Sequence, residues 1–308
     1  MAQPTMQQVH VSTTLTQVAV GYANATYIAR QVFPIVPVTK DTDQYYIFTK
    51  ADWFRDEAKA VAPGNGPQES GYSTSTCPYV CIEYGSRVPL PYKVRDNADN
   101  VIQPRTRAVR LATDRVELAL EIRVATMVTT AGNWTTTASL SSGSLWSADT
   151  SDPFSAITTA KAAVRDLIGR DPNTIVMGAK VWDQLAKHPD MVDRLKYTVT
   201  GGVPTPQQLG GLFMIDRVLI GAALKNTANE GVAGSYSSIW GKDFWLGYVS
   251  ANPSLDEPSA GYVFRQGNRI AQWLDEPLRY REVYDVLEST DEVVSAADAG
   301  YLIEDAVV

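Results

Sequence analysis

A long helix is the clearest element that the order of apolar and polar positions predicts. Apolar residues recur three or four positions apart from Val109 to Met127, which predicts one continuous helix over residues 104–128. The charged residues between them predict ion pairs that are either solvated or part of an interface. A second apolar stripe predicts that the helix is covered on more than one side; its members are Leu111, Leu118 and Ile122.

Residues 44–92 have the pattern of a long β-hairpin. The outgoing half, QYYIFTKADWFRD, is rich in aromatic and β-branched residues, and the return half carries prolines that exclude a central-strand position. Between them, AVAPGNGPQESG predicts a loop. A two-stranded ribbon with apolar groups on both faces needs cover from elsewhere. Two outcomes stay open: the hairpin meets a partner, or it folds back on its own core.

The remainder predicts a mixed α and β region. Residues 129–152 are half serine and threonine, which predicts a flexible or hairpin insertion. A helix then begins with Asp152 as its cap and ends at Gly169, a buried strand covers 174–178, and the next helical stretch is interrupted at Pro189. Later strand candidates are FMIDRVLIG, SIWGKDFWLGYVS, AGYVFRQGN and EPLRYREVYDVLES. Because strands and helices rarely alternate, the fold class is α+β.

Charge is distributed unevenly along the chain. Residues 1–39 contain no acidic residue, which predicts an extended arm that lies on another surface, whereas residues 275–308 carry ten acidic residues against two arginines. A net charge of −7 argues against a protein that works by neutralising phosphates. No apolar run approaches the ~18 residues of a membrane helix, and no secretory signal is visible.

No catalytic, metal or cofactor motif emerges. The two histidines, His10 and His188, lie far apart, and neither a Gly-x-Ser-x-Gly nor a His-Glu-x-x-His pattern occurs. In a strand, Cys77 and Cys81 are too far apart for a disulfide and lack two further zinc ligands, which predicts two reduced, half-buried thiols. A carboxylate-dependent hydrolase stays open as an alternative; its residues are Asp275, Glu276, Asp291 and Glu292.

The order of the parts resembles the major capsid proteins of tailed bacteriophages. A polar arm, a long hairpin, a spine-like helix and a mixed region that ends in strands follow one another over roughly residues 30–305. The segments that carry the likeness are VFPIVPVTKDTDQYYIFTKADWFR, VPLPYKVRDNADN, TIVMGAKVWDQLAKHPDMVDRLKY and GYVFRQGNRIAQWLDEPLRYREVYDV. The resemblance implies the Johnson fold, also called the Hong Kong 97-like fold. The parts it implies are an N-terminal arm (1–43), an extended loop (44–92), a peripheral domain (93–154 and 271–308) with its spine helix at 104–128, and an axial domain (155–270).

The same resemblance implies a structural protein of the virion and not an enzyme. Members assemble with themselves as hexamers and pentamers into an icosahedral shell, which encloses double-stranded DNA without reading its sequence. A separate scaffolding protein, a portal and a decoration protein are the expected partners, with assembly in the cytoplasm of the bacterial host. The alternative within the fold is a nanocompartment shell around a cargo enzyme.

Contacts between copies are expected at the hairpin and at the start of the long helix. These places combine exposed aromatic side chains with charges of both signs. The candidates are Tyr46, Phe48, Trp53, Phe54, Arg55, Glu57, Lys59, Glu69, Arg107 and Arg110.

Overall fold

The fold is taken from a computed structural model of the chain. The residues it describes are 24, 27–48, 50–58, 60–67, 69, 71, 73–98, 103–195, 204–250, 252 and 258–308. Residues 1–23 of the predicted arm therefore lie outside the described residues.

The helices agree with the sequence patterns where local signals are strong. The α-helices of the described residues are α1 (Ala29–Val32), α2 (Lys50–Trp53), α3 (Tyr92–Asp96), α4 (Pro104–Val128), α5 (Pro153–Ile168), α6 (Ala179–Leu185), α7 (Pro189–Leu195) and α8 (Pro206–Phe213). The predicted helix over 104–128 is confirmed as α4. At the start of α5 the Asp152 carboxylate accepts a hydrogen bond from the Ser155 N–H (2.9 Å), and Gly169 ends this helix with φ of 70°.

The strands form two larger sheets and two short ribbons. They are β1 (Ile35–Val38), β2 (Thr42–Phe48), β3 (Thr74–Val80), β4 (Ile82–Pro91), β5 (Thr136–Ser139), β6 (Thr174–Gly178), β7 (Arg217–Gly221), β8 (Leu224–Asn226), β9 (Tyr236–Ser238), β10 (Phe244–Gly247), β11 (Gly261–Glu276), β12 (Arg281–Val294) and β13 (Gly300–Glu304). Strands β2 and β3 pair with each other, as do β8 and β9.

The long helix α4 lies across a four-stranded sheet of order β1-β11-β12-β4. Strand β1 is parallel to β11, and the other pairs are antiparallel. Ala112 and Val116 pack on Val286 of β12, so the first apolar stripe of the helix faces the sheet. The proline-bearing return half of the predicted hairpin becomes the edge strand β4, as its prolines required. The second stripe is less covered than predicted, because Leu111 stays exposed.

A five-stranded sheet of order β5-β13-β10-β6-β7 makes up the rest of the core. Strand β6, which lies between β10 and β7, is buried along its whole length, which confirms the strand predicted at 174–178. Helices α5 to α8 contribute to the apolar cluster beside it. Strands β5 and β13 come from stretches that the resemblance assigns to the peripheral domain, and they lie in this sheet beside three strands from 155–270.

The prediction of a flexible or hairpin insertion at 129–152 is wrong. Strand β5 pairs in parallel with β13, and two tryptophans of this stretch are buried, one in each of the two large apolar clusters. Trp134 lies 5.3 Å from Trp245, and Trp146 lies 5.0 Å from Phe244 between ring centroids. The high serine and threonine content suggested flexibility, but the burial of Trp134 and Trp146 is sufficient to hold this segment against the core.

The predicted hairpin exists, and its base is fixed to the subunit. Strands β2 and β3 pair in register from Thr42 with Val80 to Phe48 with Thr74. At the base, Tyr79 stacks on Phe264 with 4.7 Å between ring centroids. Cys81 is buried here and Cys77 is half-buried, and both are free thiols, as predicted. The hairpin therefore leaves the sheet from a defined position.

Part of the outgoing half also contacts its own subunit. The strand predicted throughout this half is wrong beyond β2, because the short helix α2 follows and Asp52 accepts hydrogen bonds from both the N–H and the hydroxyl of Ser73. The Lys50 ammonium lies 3.8 Å from the Asp298 carboxylate. The ring of Phe54 lies 3.2 Å from the point where a Cβ on Gly169 would be. Of the two open outcomes, folding back holds for this segment, while Tyr46 remains exposed.

Candidate assembly interface

The far end of the β11–β12 ribbon carries several exposed apolar side chains on one short stretch of chain. The ribbon continues beyond the point where β1 stops pairing at Gln266, and its turn is Pro277–Arg279. Leu278 in the turn is 98% exposed, Tyr280 76% and Trp273 57%. We call the exposed apolar residues here the ribbon end: Ile270, Trp273, Leu274, Leu278 and Tyr280. Apolar side chains grouped in this way are typical of a surface that a partner covers.

The backbone of the ribbon is also open on one side. Beyond Gln266, no described strand pairs with the edge of β11 opposite β12. This edge contains no proline between Gly267 and Glu276, whereas β4 at the other edge carries Pro89 and Pro91. An unpaired edge of this length accepts a strand from another chain, and prolines prevent such pairing. The structure therefore favours pairing at β11 over pairing at β4.

The exposed aromatic candidates of the hairpin are only partly described. Tyr46 is 62% exposed and Phe54 63% exposed. Phe48 and Trp53 occupy positions in β2 and α2, and their side chains lie outside the described part of the structure.

The charged candidates are not brought together into one cluster. Lys59 lies outside the described residues. Arg55 and Glu57 pair with each other at 3.2 Å. Glu69 is exposed. The last two candidates, Arg107 and Arg110, are exposed on α4 and form no ion pair with any described residue.

Buried glutamates on β12 form ion pairs with arginines of α3 and α4, a feature that the sequence patterns did not predict. Glu282 is buried, and its carboxylate accepts hydrogen bonds from Arg95 (2.6 Å), Arg105 (2.6 and 3.0 Å) and the Tyr284 hydroxyl (2.7 Å). Glu292 binds Arg123 through two parallel hydrogen bonds of 2.9 Å. Glu282 and Glu292 are an even number of positions apart in β12, so their side chains lie on the same face of the sheet. The charge excess at 275–308 was visible in the sequence, but its arginine partners are far away along the chain.

The ion pairs of Glu282 make the stability of the folded subunit depend on pH. Burial raises the pKa of this carboxyl, but the hydrogen bonds from Arg105, Arg95 and Tyr284 outweigh burial and hold the pKa at about 2, below the ordinary 4.5. The unfolded chain therefore binds the proton first as the pH falls. The stabilisation is complete above the ordinary pKa and is lost as the pH falls from 4.5 towards about 2.

Glu282→Gln is expected to lower the melting temperature at neutral pH and to flatten its decline in acid. The substitution keeps the size of the side chain and removes the charge that the two arginines bind. Melting temperatures from circular dichroism at about pH 7, 5 and 3 measure the effect. Glu83→Gln is the matched control, because Glu83 is exposed on the neighbouring strand. Equal acid-dependent loss in E282Q and in the unsubstituted protein contradicts the prediction.

A stripe of acids on α4 binds residues 27–30, a segment of the predicted arm, to the subunit. The stripe consists of Asp114, Glu117 and Glu121, which share one helix face at spacings of three and four. The Tyr27 hydroxyl donates to Asp114 (2.9 Å), and Arg30 donates to Glu117 (3.1 Å). The prediction of ordinary ion pairs is wrong for Glu121, which is buried and binds neutral N–H groups. In the sequence, the spacing of three and four residues between these acids was the one sign that they lie on the same helix face.

His188 has a structural position directly before α7. Its Nδ1 accepts a hydrogen bond from the Asp190 N–H (3.2 Å) in the first turn of α7. In the neutral ring the proton is then on Nε2, which lies 3.1 Å from the Ser151 hydroxyl and 3.2 Å from the Ala148 carbonyl. Because a general base must offer Nε2 to a serine as an acceptor, this arrangement does not activate Ser151.

The paired carboxylates of the hydrolase alternative have structural partners. Glu276 binds Arg281 at 2.7 Å, and Asp275 accepts a hydrogen bond from the Tyr92 hydroxyl. Asp291 accepts from the Val80 N–H (2.9 Å), and burial raises its pKa. Within the described ranges, no cluster of three or more histidine, cysteine or acidic side chains is placed to hold a metal ion. None of the described helices is both long and apolar enough to cross a membrane.

Sequence comparison places the chain beside phage head proteins. The model of the family described as phage major capsid protein E matches residues 129–233. The major capsid protein of Burkholderia phage BcepMu is 29% identical over 308 residues, which cover 95% of each chain. These likenesses favour neither the nanocompartment nor the hydrolase alternative.

Solved structures show the same relation in three dimensions. A crystal structure of a phage-related protein from Bordetella bronchiseptica is 27% identical, covers 95% of both chains and has a TM-score of 0.74. The capsid structure of cyanophage P-SCSP1u is 9% identical, covers 93% of this chain and 90% of its own, and has a TM-score of 0.59. The chain is therefore similar to phage major capsid proteins over almost its whole length and has the Hong Kong 97-like α+β fold, as the resemblance in its sequence implied.

Proposed function

We propose that this chain is the major capsid protein of a tailed phage, which assembles with itself as hexamers and pentamers into an icosahedral head shell around double-stranded DNA. The observation that carries the proposal is the ribbon end together with the open edge of β11. The ribbon end exposes apolar side chains, and the β11 edge exposes unpaired backbone N–H and C=O groups; burial of both against another subunit is favourable. Both lie on the β11–β12 ribbon, which is part of the four-stranded sheet.

The hairpin is the second part of the proposed interface. Its base is held by the stacked pair Tyr79 and Phe264, so the exposed side chains beyond it have a fixed starting direction. Tyr46, together with the charged candidates of the loop and of α4, is proposed to contact other copies. Arg107 and Arg110 support this because they are exposed and have no acid partner among the described residues.

The remaining partners follow from the same proposal. A separate scaffolding protein, a portal and a decoration protein are expected, with assembly in the host cytoplasm and no enzymatic activity. The enclosed DNA is expected to be bound weakly, since a net charge of −7 argues against strong binding of its phosphates. The division into arm, extended loop, peripheral domain and axial domain is part of the proposal, and the sheet that joins β5 and β13 to β6, β7 and β10 is where the last two meet.

Replacing the three most exposed residues of the ribbon end is expected to abolish shells. In the variant Trp273→Ser, Leu278→Ser and Tyr280→Ser, the side chains that a neighbour buries are lost, while the subunit core is untouched. Expression with the cognate assembly proteins, followed by sedimentation and negative-stain microscopy, is expected to give shells for the unsubstituted chain and only small species for the variant. Circular dichroism is expected to be the same for both.

Met214→Ser is the matched control, because Met214 is 83% exposed and lies outside the ribbon and the hairpin. Shells are expected to form with this variant as they do with the unsubstituted chain. Normal shells from the triple variant contradict the role of the ribbon end. If the unsubstituted chain gives no shells under these conditions, the proposed function itself is wrong. A cargo protein instead of DNA inside the particles supports the nanocompartment alternative.

A further inference from the structure

The Glu121 carboxylate joins three parts of the subunit. It is fully buried in the middle of α4 and accepts hydrogen bonds from three N–H groups. The donors are the Ile28 N–H (3.0 and 3.1 Å), the Ala29 N–H (2.7 Å) and the Trp240 indole Nε1–H (2.7 Å). Among the described residues, no lysine or arginine lies within ion-pair distance of it. In the part of the chain that the structure describes, the Glu121 side chain is thus held by uncharged N–H donors.

The first two donors belong to the arm root, which we define as residues 27–30. Ile28 caps the short helix α1, and Ala29 is its first residue, so neither N–H has an acceptor within its own helix. Tyr27 and Arg30 attach the same segment to Asp114 and Glu117 of the acidic stripe. The arm root is therefore the part of the predicted arm that is attached to α4.

The third donor belongs to the Trp240 loop, residues 239–243, which leads into β10. The Trp240 ring lies against Gly221 so closely that a Cβ at Gly221 would be 2.0 Å from the ring atom Cδ1. The position of the indole is thus fixed by the end of β7. A movement of the five-stranded sheet relative to α4 necessarily shifts this donor with respect to Glu121.

We propose that Glu121 couples the arm root to the Trp240 loop. A buried carboxylate is stable only while its hydrogen bonds are complete, so the loss of one donor weakens the hold on the other two. The coupling is reciprocal, because both sites bind the same group. Displacement of Trp240 loosens Ile28 and Ala29, and release of the arm root loosens the Trp240 loop.

Two tryptophans of the same apolar cluster provide a matched test. Trp240 and Trp245 are both buried there, but the Trp245 Nε1–H has no hydrogen-bond partner. Trp240→Phe and Trp245→Phe remove comparable apolar volume, and only the first removes a donor to Glu121. Amide hydrogen exchange is measured on peptides that contain residues 27–33, relative to the buried strand β6. W240F is expected to speed this exchange by about tenfold, and W245F by no more than about twofold.

Equal exchange at the arm root in W240F and W245F overturns the coupling. A second pair keeps the proposal testable if a tryptophan variant does not fold. Glu121→Gln is expected to raise exchange in both the arm root and the Trp240 loop, whereas Glu117→Gln, which loses contacts to Arg30 and Arg269 only, is expected to raise exchange in the arm root alone. An unchanged Trp240 loop in E121Q also overturns the coupling. Neither outcome depends on shell formation.

Discussion

Trp146→Ala is expected to lower the free energy of unfolding by about 4 kcal/mol, because a large buried aromatic side chain is replaced by a cavity. Trp146 is 1% exposed and packs edge to face on Phe244 of β10. Its backbone N–H donates to the Ala306 carbonyl, so the segment is attached to the C-terminal end of the chain as well. Urea unfolding of unassembled subunits, followed by circular dichroism, measures the change.

Trp273→Ala is the control for this substitution. Trp273 is more than half exposed, so its removal is expected to cost less than about 1 kcal/mol. Losses of equal size in the two variants would mean that the segment around Trp146 is not part of the folded core. The comparison thus separates a core segment from the insertion that its composition predicted.

Glu121→Ala is expected to lower the free energy of unfolding by about 4 kcal/mol as well, for a different reason. The substitution leaves three buried N–H groups without an acceptor, and each unsatisfied donor costs about 1–3 kcal/mol. Urea unfolding measures this loss under the same conditions as for W146A.

The matched variant is Glu117→Ala. The Glu117 side chain is half-buried, and its partners Arg30 and Arg269 keep a second acid in Glu288. We therefore expect a loss of about 1–2 kcal/mol for E117A. A smaller loss in E121A than in E117A would show that the three donors find other acceptors.

Sequence reasoning succeeded where a signal is local. The apolar period of α4, the cap at Asp152, the stop at Gly169 and the apolar run of β6 each depend on residues within a few positions of one another. The order of these elements carried the resemblance to phage head proteins. The prolines of β4 placed it at a sheet edge for the same local reason.

Features that depend on distant residues were missed. Trp146 in a serine-rich segment gives no sign that Phe244 will meet it, and Glu121 looks like an ordinary helix-surface acid. The ribbon end was missed because the sequence predicted a short strand that ends at Gly267 and Asn268, whereas the pairing of β11 with β12 resumes beyond a bulge between Gln266 and Ile270. Among the predicted interface residues whose side chains the structure describes, Arg55 and Glu57 alone form an ion pair with each other. The roles of the others depend on a second copy, which one chain does not contain.

The open edge of β11 also allows an unproductive association. Two copies that pair their β11 edges with each other across a twofold axis satisfy both edges at once and leave none for a third copy. Growth of a larger assembly requires instead that the β11 edge of each copy pairs with a different segment of its neighbour. Each copy then uses two different surfaces, in a head-to-tail arrangement. A β11 edge that pairs poorly with a second β11 edge therefore favours continued assembly. A stable dimer formed early through two β11 edges would stop the addition of further copies.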